Sequence, residues 1–322
     1  MKSSLFPIVF ILYIILLSGC GAEGKEASGT GVYFDTVVDI RICDGDADKL
    51  LAECFDICEE MENVFSAQKE GSELYRLNHR NSNSVEVSDN LASCIKAGLY
   101  YGEISEGAFD ITVLPLRELW DFEAEDPSVP SESEIKEALK KVDYQKVHCE
   151  GNTIIFDDSD TQIDLGGIAK GYISAKLKAY LLEQDCNSAL INLGGNVSAV
   201  GSKTDGSEWN VGIQEPFAER GTVFDTVQID NRCVVSSGTY ERYFTADGKQ
   251  YHHILDPGTG YPVETKLQQV SVIGTDDVLC DALSTICVLI GEDRALELIE
   301  NEALDVEVIF IDNNHEEKWL RD

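Results

Sequence analysis

Hydrophobic and polar positions recur with two different periods along this chain. From Phe34 to Ile42, Thr, Val and Ile dominate, which predicts a strand. Leu50, Cys54, Ile57 and Met61 recur at three- and four-residue spacing and predict a helix with one apolar stripe. Leu91, Ile95 and Leu99 repeat that spacing behind Ser88, a residue suited to capping, and the helix ends near Gly107. Ser131 with Glu134 forms a capping-box pattern ahead of Ile135, Leu139 and Val142. The acidic, proline-containing run from Asp121 to Pro130 reads as a loop.

The second half changes rhythm. Thr153 to Phe156 and Thr161 to Leu165 read as a hairpin. Gly166 and Gly167 break the pattern and open a helix with Ile173, Leu177, Tyr180 and Leu181 facing inward. Short strands are predicted at Ala189–Asn192, Trp209–Ile213, Val223–Ile229, Cys233–Ser236, Gln269–Ile273 and Val306–Ile311. A helix from about Asp277 stops at Gly291. Many strands with tight turns and clustered helices predict an α+β fold with mainly antiparallel sheets.

The start of the chain follows neither period. Leu5 to Leu17 is a continuous apolar run after Lys2, too short to span a bilayer but suited to the core of a secretory signal. It closes with Leu17-Ser18-Gly19-Cys20, which resembles the bacterial lipobox. That resemblance implies cleavage before Cys20 and lipidation of its thiol; an ordinary signal with an incidental Cys is the alternative. The expected organisation is a lipoprotein signal over 1–19, a lipidated Cys and tether over 20–31, and one domain over 32–322. The protein would then stand on the outer face of the cell membrane.

Composition narrows the partners. A net charge of -34 in 322 residues, spread along the chain, leaves no basic patch to displace counterions, so nucleic acid is excluded as a partner. An anionic substrate needs a metal ion or a local Lys to offset this field. Ten cysteines are present, and without Cys20 the count is odd. No Cys-x-x-Cys occurs, so these read as free, buried, small apolar residues, which points to a habitat without oxygen.

Five segments are denser in Gly, Asp, His and hydroxyl residues than packing requires. Gly107-Ala108-Phe109-Asp110-Ile111-Thr112 offers small residues for close approach of a flat ligand, or a plain helix end capped by Asp110. Asp164-Leu165-Gly166-Gly167-Ile168-Ala169-Lys170-Gly171 is a strand, a glycine break and a helix start. Its free N–H groups and Lys170 suit phosphate, and a simple tight turn is equally open. Asn192-Leu193-Gly194-Gly195-Asn196 reads as a structural turn. Ser237 to Phe244 joins aromatics to Glu241 and Arg242. His252-His253-Ile254-Leu255-Asp256-Pro257 places two His beside a turn, where one can act as a general base. Asp281 and Thr285 stand one helical turn apart, a hard-oxygen pair suited to Mg²⁺, or a helix-end acid and a back-bonded Thr.

Taken in order, these segments resemble the ApbE family of FAD:protein FMN transferases, from about Phe34 to Gly291. The resemblance implies the family's flavin-transferase fold. It also implies that Ala108, Phe109, Asp110, Asp164, Lys170, Glu241 and Ile254 hold FAD. Mg²⁺ would be held by Asp281, Thr285 and the main-chain carbonyl of Gly167, with His253 and Asp281 as the catalytic pair. The implied reaction moves FMN from FAD to a Thr or Ser hydroxyl of a membrane-associated, extracytoplasmic electron-transfer protein and releases AMP. FAD hydrolysis to FMN and AMP, or simple flavin carriage, are the alternatives. One departure stands out. Phe34-Asp35-Thr36 replaces the Met-Gly-Thr of many family members.

Overall fold

The computed structural model describes residues 26–321. The expected signal segment and Cys20 lie outside the described residues. An eight-stranded sheet organises the chain. Its order is Ala27–Tyr33, Thr36–Ile42, Ala189–Leu193, Asn196–Val200, Cys233–Gly238, Leu267–Gly274, Val306–Asp312 and Glu317–Leu320. Neighbouring strands pair antiparallel throughout.

The first hairpin extends the folded region back to Ala27, ahead of the boundary at 32 expected from composition. Gly29 and Gly31 make this possible. A Cβ on Gly29 would stand 2.8 Å from the Phe55 ring, and one on Gly31 would stand 3.1 Å from it. The strand therefore lies directly on the helix Ala47–Phe65. The expected strand from Phe34 is shortened at its start, because Phe34 and Asp35 both take positive φ (55 and 56) and form the hairpin turn.

Helices cover one face of the sheet. Ala47–Phe65, Asp89–Ile104, Ala169–Glu183 and Asp277–Ile290 supply the main core with Cys54, Ile95, Leu177 and Ile286. Ser88 caps Asp89–Ile104, and the Ser131–Glu134 capping box forms as predicted. The opposite face is covered by the hairpin Trp209–Gln214 and Val223–Ile229. A third apolar cluster holds a side lobe, where Trp120 and Leu116 meet Ile135, Phe244 and Leu255.

Thr161–Leu165 does not form the expected strand. Thr153–Phe156 pairs instead with Val147–Glu150 and Ser84–Glu86. The extended run near Ile163 is bonded by a side chain rather than a ladder. Asn78 Oδ1 accepts from Ile163 N–H at 2.7 Å, and Asn78 Nδ2 donates to its carbonyl at 2.8 Å.

The nine described cysteines are all free, and all but Cys149 are buried. Burial pushes the Cys54, Cys58 and Cys287 thiols up to about 12, so they stay protonated at neutral pH. A domain lacking Cys20 is expected to offer one readily titrated thiol when folded and nine when unfolded without reductant. Fewer than nine after unfolding would reveal disulfides and contradict this arrangement.

Candidate active site

Two helices touch backbone to backbone at Gly171. A Cβ there would stand 2.3 Å from the Asp277 carbonyl oxygen and 2.7 Å from Asp281 Cβ. This contact carries Asp281, 2% exposed, over the first turn of Ala169–Glu183. Asp281 Oδ2 accepts from Gly171 N–H at 2.7 Å. Oδ1 accepts from Asn196 Nδ2 at 2.8 Å, with Lys170 Nζ 3.6 Å away. A buried carboxylate needs such compensation.

Asn196 was not expected here. The turn Asn192–Asn196 is more than a connection, since it delivers Asn196 to the carboxylate. Gly194, at φ 62, is what lets the turn close. A side chain there would stand 2.2 Å from Thr36 Oγ1.

Thr285 lies one turn beyond Asp281. Ser284 Oγ donates to the Asp281 carbonyl at 2.9 Å and sits 2.7 Å from Ser237 Oγ. With its proton committed, Ser284 must accept from Ser237. Ser237 then accepts from Thr285 Oγ1 at 3.1 Å. Thr285 therefore spends its proton and keeps its lone pairs. Gly167 is beside it, because a Cβ there would stand 3.9 Å from Thr285 Oγ1 and 2.9 Å from the Phe109 ring. The expected donors are the Asp281 carboxylate, the Thr285 hydroxyl and the Gly167 carbonyl. Among the described residues no trio of His, Cys, Asp or Glu gathers. This all-oxygen set fits Mg²⁺ rather than zinc.

Phe109 is held from both sides. Its N–H donates to Ser105 Oγ at 2.9 Å, and Ala108 beside it is half-buried. Asp164 N–H donates to the Ile111 carbonyl at 2.7 Å, tying the Gly107–Thr112 segment to the glycine break. Asp164 Oδ2 accepts from Arg117 at 2.8 Å, and Oδ1 from Gly166 N–H at 2.6 Å. Arg117 was missed because Leu114–Trp120 is short and shows no clear period. Its guanidinium is stabilised by Asp164, with smaller help from Glu123 and Asp35, so the departing Phe34-Asp35 turn adds charge near the site.

Two expected segments are more closed than their spacing suggests. Asp110 is buried and bonded within its own loop. Its Oδ1 accepts from Thr112 N–H and Oγ1 at 2.7 and 2.6 Å, and Oδ2 accepts from Tyr144 N–H at 2.9 Å. Burial nevertheless pushes its pKa up. Asp110 thus fastens the loop, as the capping alternative held. The first turn of Ala169–Glu183 does not present open N–H groups throughout. Gly171 N–H is taken by Asp281, and the Ile168 and Ala169 N–H groups by the Leu165 carbonyl. Lys170 remains as the cation for an anionic ligand.

His253 follows the strand Lys249–His252. Its Nδ1 lies 3.3 Å from the Arg242 carbonyl, which can only accept. Nδ1 therefore carries the proton, and Nε2 keeps a lone pair. Burial, then the charges of Arg242, His252 and Lys170, push its pKa down to about 3. Ile254 is buried beside it. Glu241 is exposed on the turn after Gly238, and Arg242 pairs with Glu123 at 3.1 Å rather than with Glu241.

His252, pushed down to about 4 chiefly by burial, shares this environment. Both rings have folded values below the unfolded one. Below about pH 6.5 the unfolded chain binds protons that the fold refuses. Their influence is absent above pH 6.5 and destabilises progressively toward pH 4. Melting temperatures measured across that window are expected to fall less steeply in His252→Gln. An unchanged slope would contradict the burial of this ring.

The ApbE family model matches residues 34–310. A FAD:protein FMN transferase from Klebsiella pneumoniae (strain 342) is 33% identical over 270 residues, 83% of this chain and 83% of its own length. One from Treponema pallidum (strain Nichols) is 32% identical over 336 residues, 97% of this chain and 92% of its own. The solved structure of the ApbE protein from Thermotoga maritima matches with a TM-score of 0.83 at 30% identity, covering 91% of this chain and 96% of that one. The shared fold, the length of the match and the ordered segments agree: this chain belongs to the ApbE family.

Proposed function

We propose that this protein transfers FMN from FAD to a Thr or Ser hydroxyl of another protein, with Mg²⁺ as cofactor and AMP as leaving group. The observation that carries this reading is the meeting of Asp281, Thr285, Gly167 and Lys170 at one helix start. They combine hard-oxygen donors with a cation on an otherwise acidic protein. Asp281, Thr285 and the Gly167 carbonyl would hold Mg²⁺, which when bound supplies charge compensation to the FAD pyrophosphate. Lys170 adds a second cation for the phosphates. Phe109 beside Gly167 offers an apolar wall for a flat ring. In the reaction the acceptor oxygen bonds to the phosphorus of the FMN half, and the bond from that phosphorus to the bridging oxygen breaks. His253 Nε2 takes the hydroxyl proton, and AMP leaves with the bridging oxygen. The relatives named as FAD:protein FMN transferases support this assignment.

The Leu17-Ser18-Gly19-Cys20 pattern supports export and lipid anchoring on the outer membrane face. Tethering there would concentrate the enzyme beside a membrane-associated electron-transfer acceptor. The test incubates the domain with FAD, MgCl₂ and the membrane fraction of a strain lacking this enzyme. Gels are then read for covalent flavin fluorescence. A labelled band that EDTA abolishes supports transfer. Free FMN and AMP without a labelled band would replace transfer by hydrolysis, and intact FAD would sink both. Mass spectrometry of the native N-terminus decides the anchor, since an unmodified Cys20 rules it out.

A further inference from the structure

A cleft of about 540 Å³ opens between the strand Lys249–His252 and the segment Tyr261–Gln268, with His252, the neighbour of His253, in its wall. The strand pairs only with Tyr243–Ala246, so its other edge is free of strand partners among the described residues. Antiparallel alternation fixes which groups lie on that edge. His253 N–H donates to Arg242. Tyr251 and Lys249 therefore turn their backbone groups the same way, and His252 and Gln250 turn theirs outward. The next outward group, the Ile254 carbonyl, is already taken by Val263 N–H at 3.0 Å. Beyond Val263 the facing chain gives this strand no backbone hydrogen bond among the described residues, and Lys249 Nζ meets Glu264 at 2.8 Å.

The cleft also has chemical character. Lys266 lines it and forms no ion pair among the described residues, on a chain whose net charge is -34. Gln268 Oε1 is buried there without a hydrogen-bond partner. Phe217 stands at the rim, 43% exposed, with its backbone held at φ 60, a conformation rare for a bulky residue. Its ring lies 5.6 Å from that of Tyr243, itself 44% exposed. An exposed aromatic at the rim beside a free strand edge suits a polypeptide partner.

We propose that this cleft binds an extended segment of the acceptor protein, which adds a strand to the free edge of Lys249–His252 and places a carboxylate at Lys266. The inference rests on the transferase reading. It identifies where the acceptor docks, on the strand that ends one residue before His253. Gln268 Oε1 would accept from the added segment, and Phe217 would close over it.

The test measures covalent flavin labelling against concentration of the same membrane fraction, for the parent protein, Lys266→Glu and Gln250→Pro. The Pro variant removes one outward N–H. Both are expected to raise the half-saturating membrane concentration about tenfold or more, while FAD affinity and metal-dependent melting shifts stay at parental values. Restored labelling in Lys266→Arg would confirm the role of charge. Parental half-saturation in both variants overturns the docking site, as does a dimer of this chain that Lys266→Glu dissociates. No labelling by the parent protein instead overturns the transferase reading itself, so the two failures are distinguishable.

Discussion

Asp281→Ala is expected to abolish FMN transfer and to remove its dependence on Mg²⁺. The carboxylate is the one anionic side chain among the proposed metal donors. It is also the group on which Gly171 N–H, Asn196 and Lys170 converge. Losing metal-based charge compensation costs several kcal/mol of transition-state stabilisation, roughly 10³-fold or more in rate. A structural role alone would predict something else. It would lower the melting temperature but leave the residual activity responsive to Mg²⁺.

Two measurements separate these cases. The parent protein should melt at a higher temperature as MgCl₂ is added, because an ion that binds only the folded state stabilises it by mass action. Asp281→Ala should show no such shift. Thr285→Val removes the second donor at nearly constant volume. Its hydroxyl already gives its proton to Ser237, so the fold loses only that bond, about 1 kcal/mol. A weakened Mg²⁺ shift in Thr285→Val with a near-parental metal-free melting temperature would place the ion at these oxygens. A full shift in both variants would move it elsewhere.

Much of this architecture was legible before any coordinates. The stripe from Leu50 to Met61, the Ser88 cap and the Ser131–Glu134 box are local devices, and each formed as read. Asp281 and Thr285 were legible for the same reason, since one helical turn relates them whatever surrounds it. What failed were inferences that depend on distant chain. Ile163 is bonded by Asn78, and nothing within Thr161–Leu165 announces that a side chain will replace its ladder. The Tyr144 N–H that bonds Asp110 was likewise not legible, because Tyr144 is far along the sequence. Asn196 and Arg117 were missed because each acts on a carboxylate in another segment. Spacing reports what lies on one face of one element. It does not report which elements meet.

His253→Gln is expected to leave FAD and Mg²⁺ bound while slowing transfer on the order of 10²–10⁴-fold, the usual contribution of a positioned base. The glutamine amide reaches about where Nε2 stands but offers no basic nitrogen there, and it loses the Nδ1 contact with the Arg242 carbonyl at 3.3 Å. The pH profile adds a second, independent readout. In the free enzyme the ring titrates at about 3, well below the usual histidine value, so it is unprotonated across the neutral range. If His253 is the base, kcat/KM should carry no acid limb from it between pH 8 and pH 5, since that ratio reports the free enzyme. The profile of kcat is expected to differ. Arg242 and Lys170 help hold the ring neutral, and an anionic pyrophosphate beside Lys170 opposes their charges. Bound FAD should therefore raise the ring's pKa and make it a stronger base at the moment a proton must be taken, moving the acid limb of kcat upward. A variant that transfers FMN at the parental rate, or a kcat limb that His253→Gln leaves in place, would assign the proton to another group.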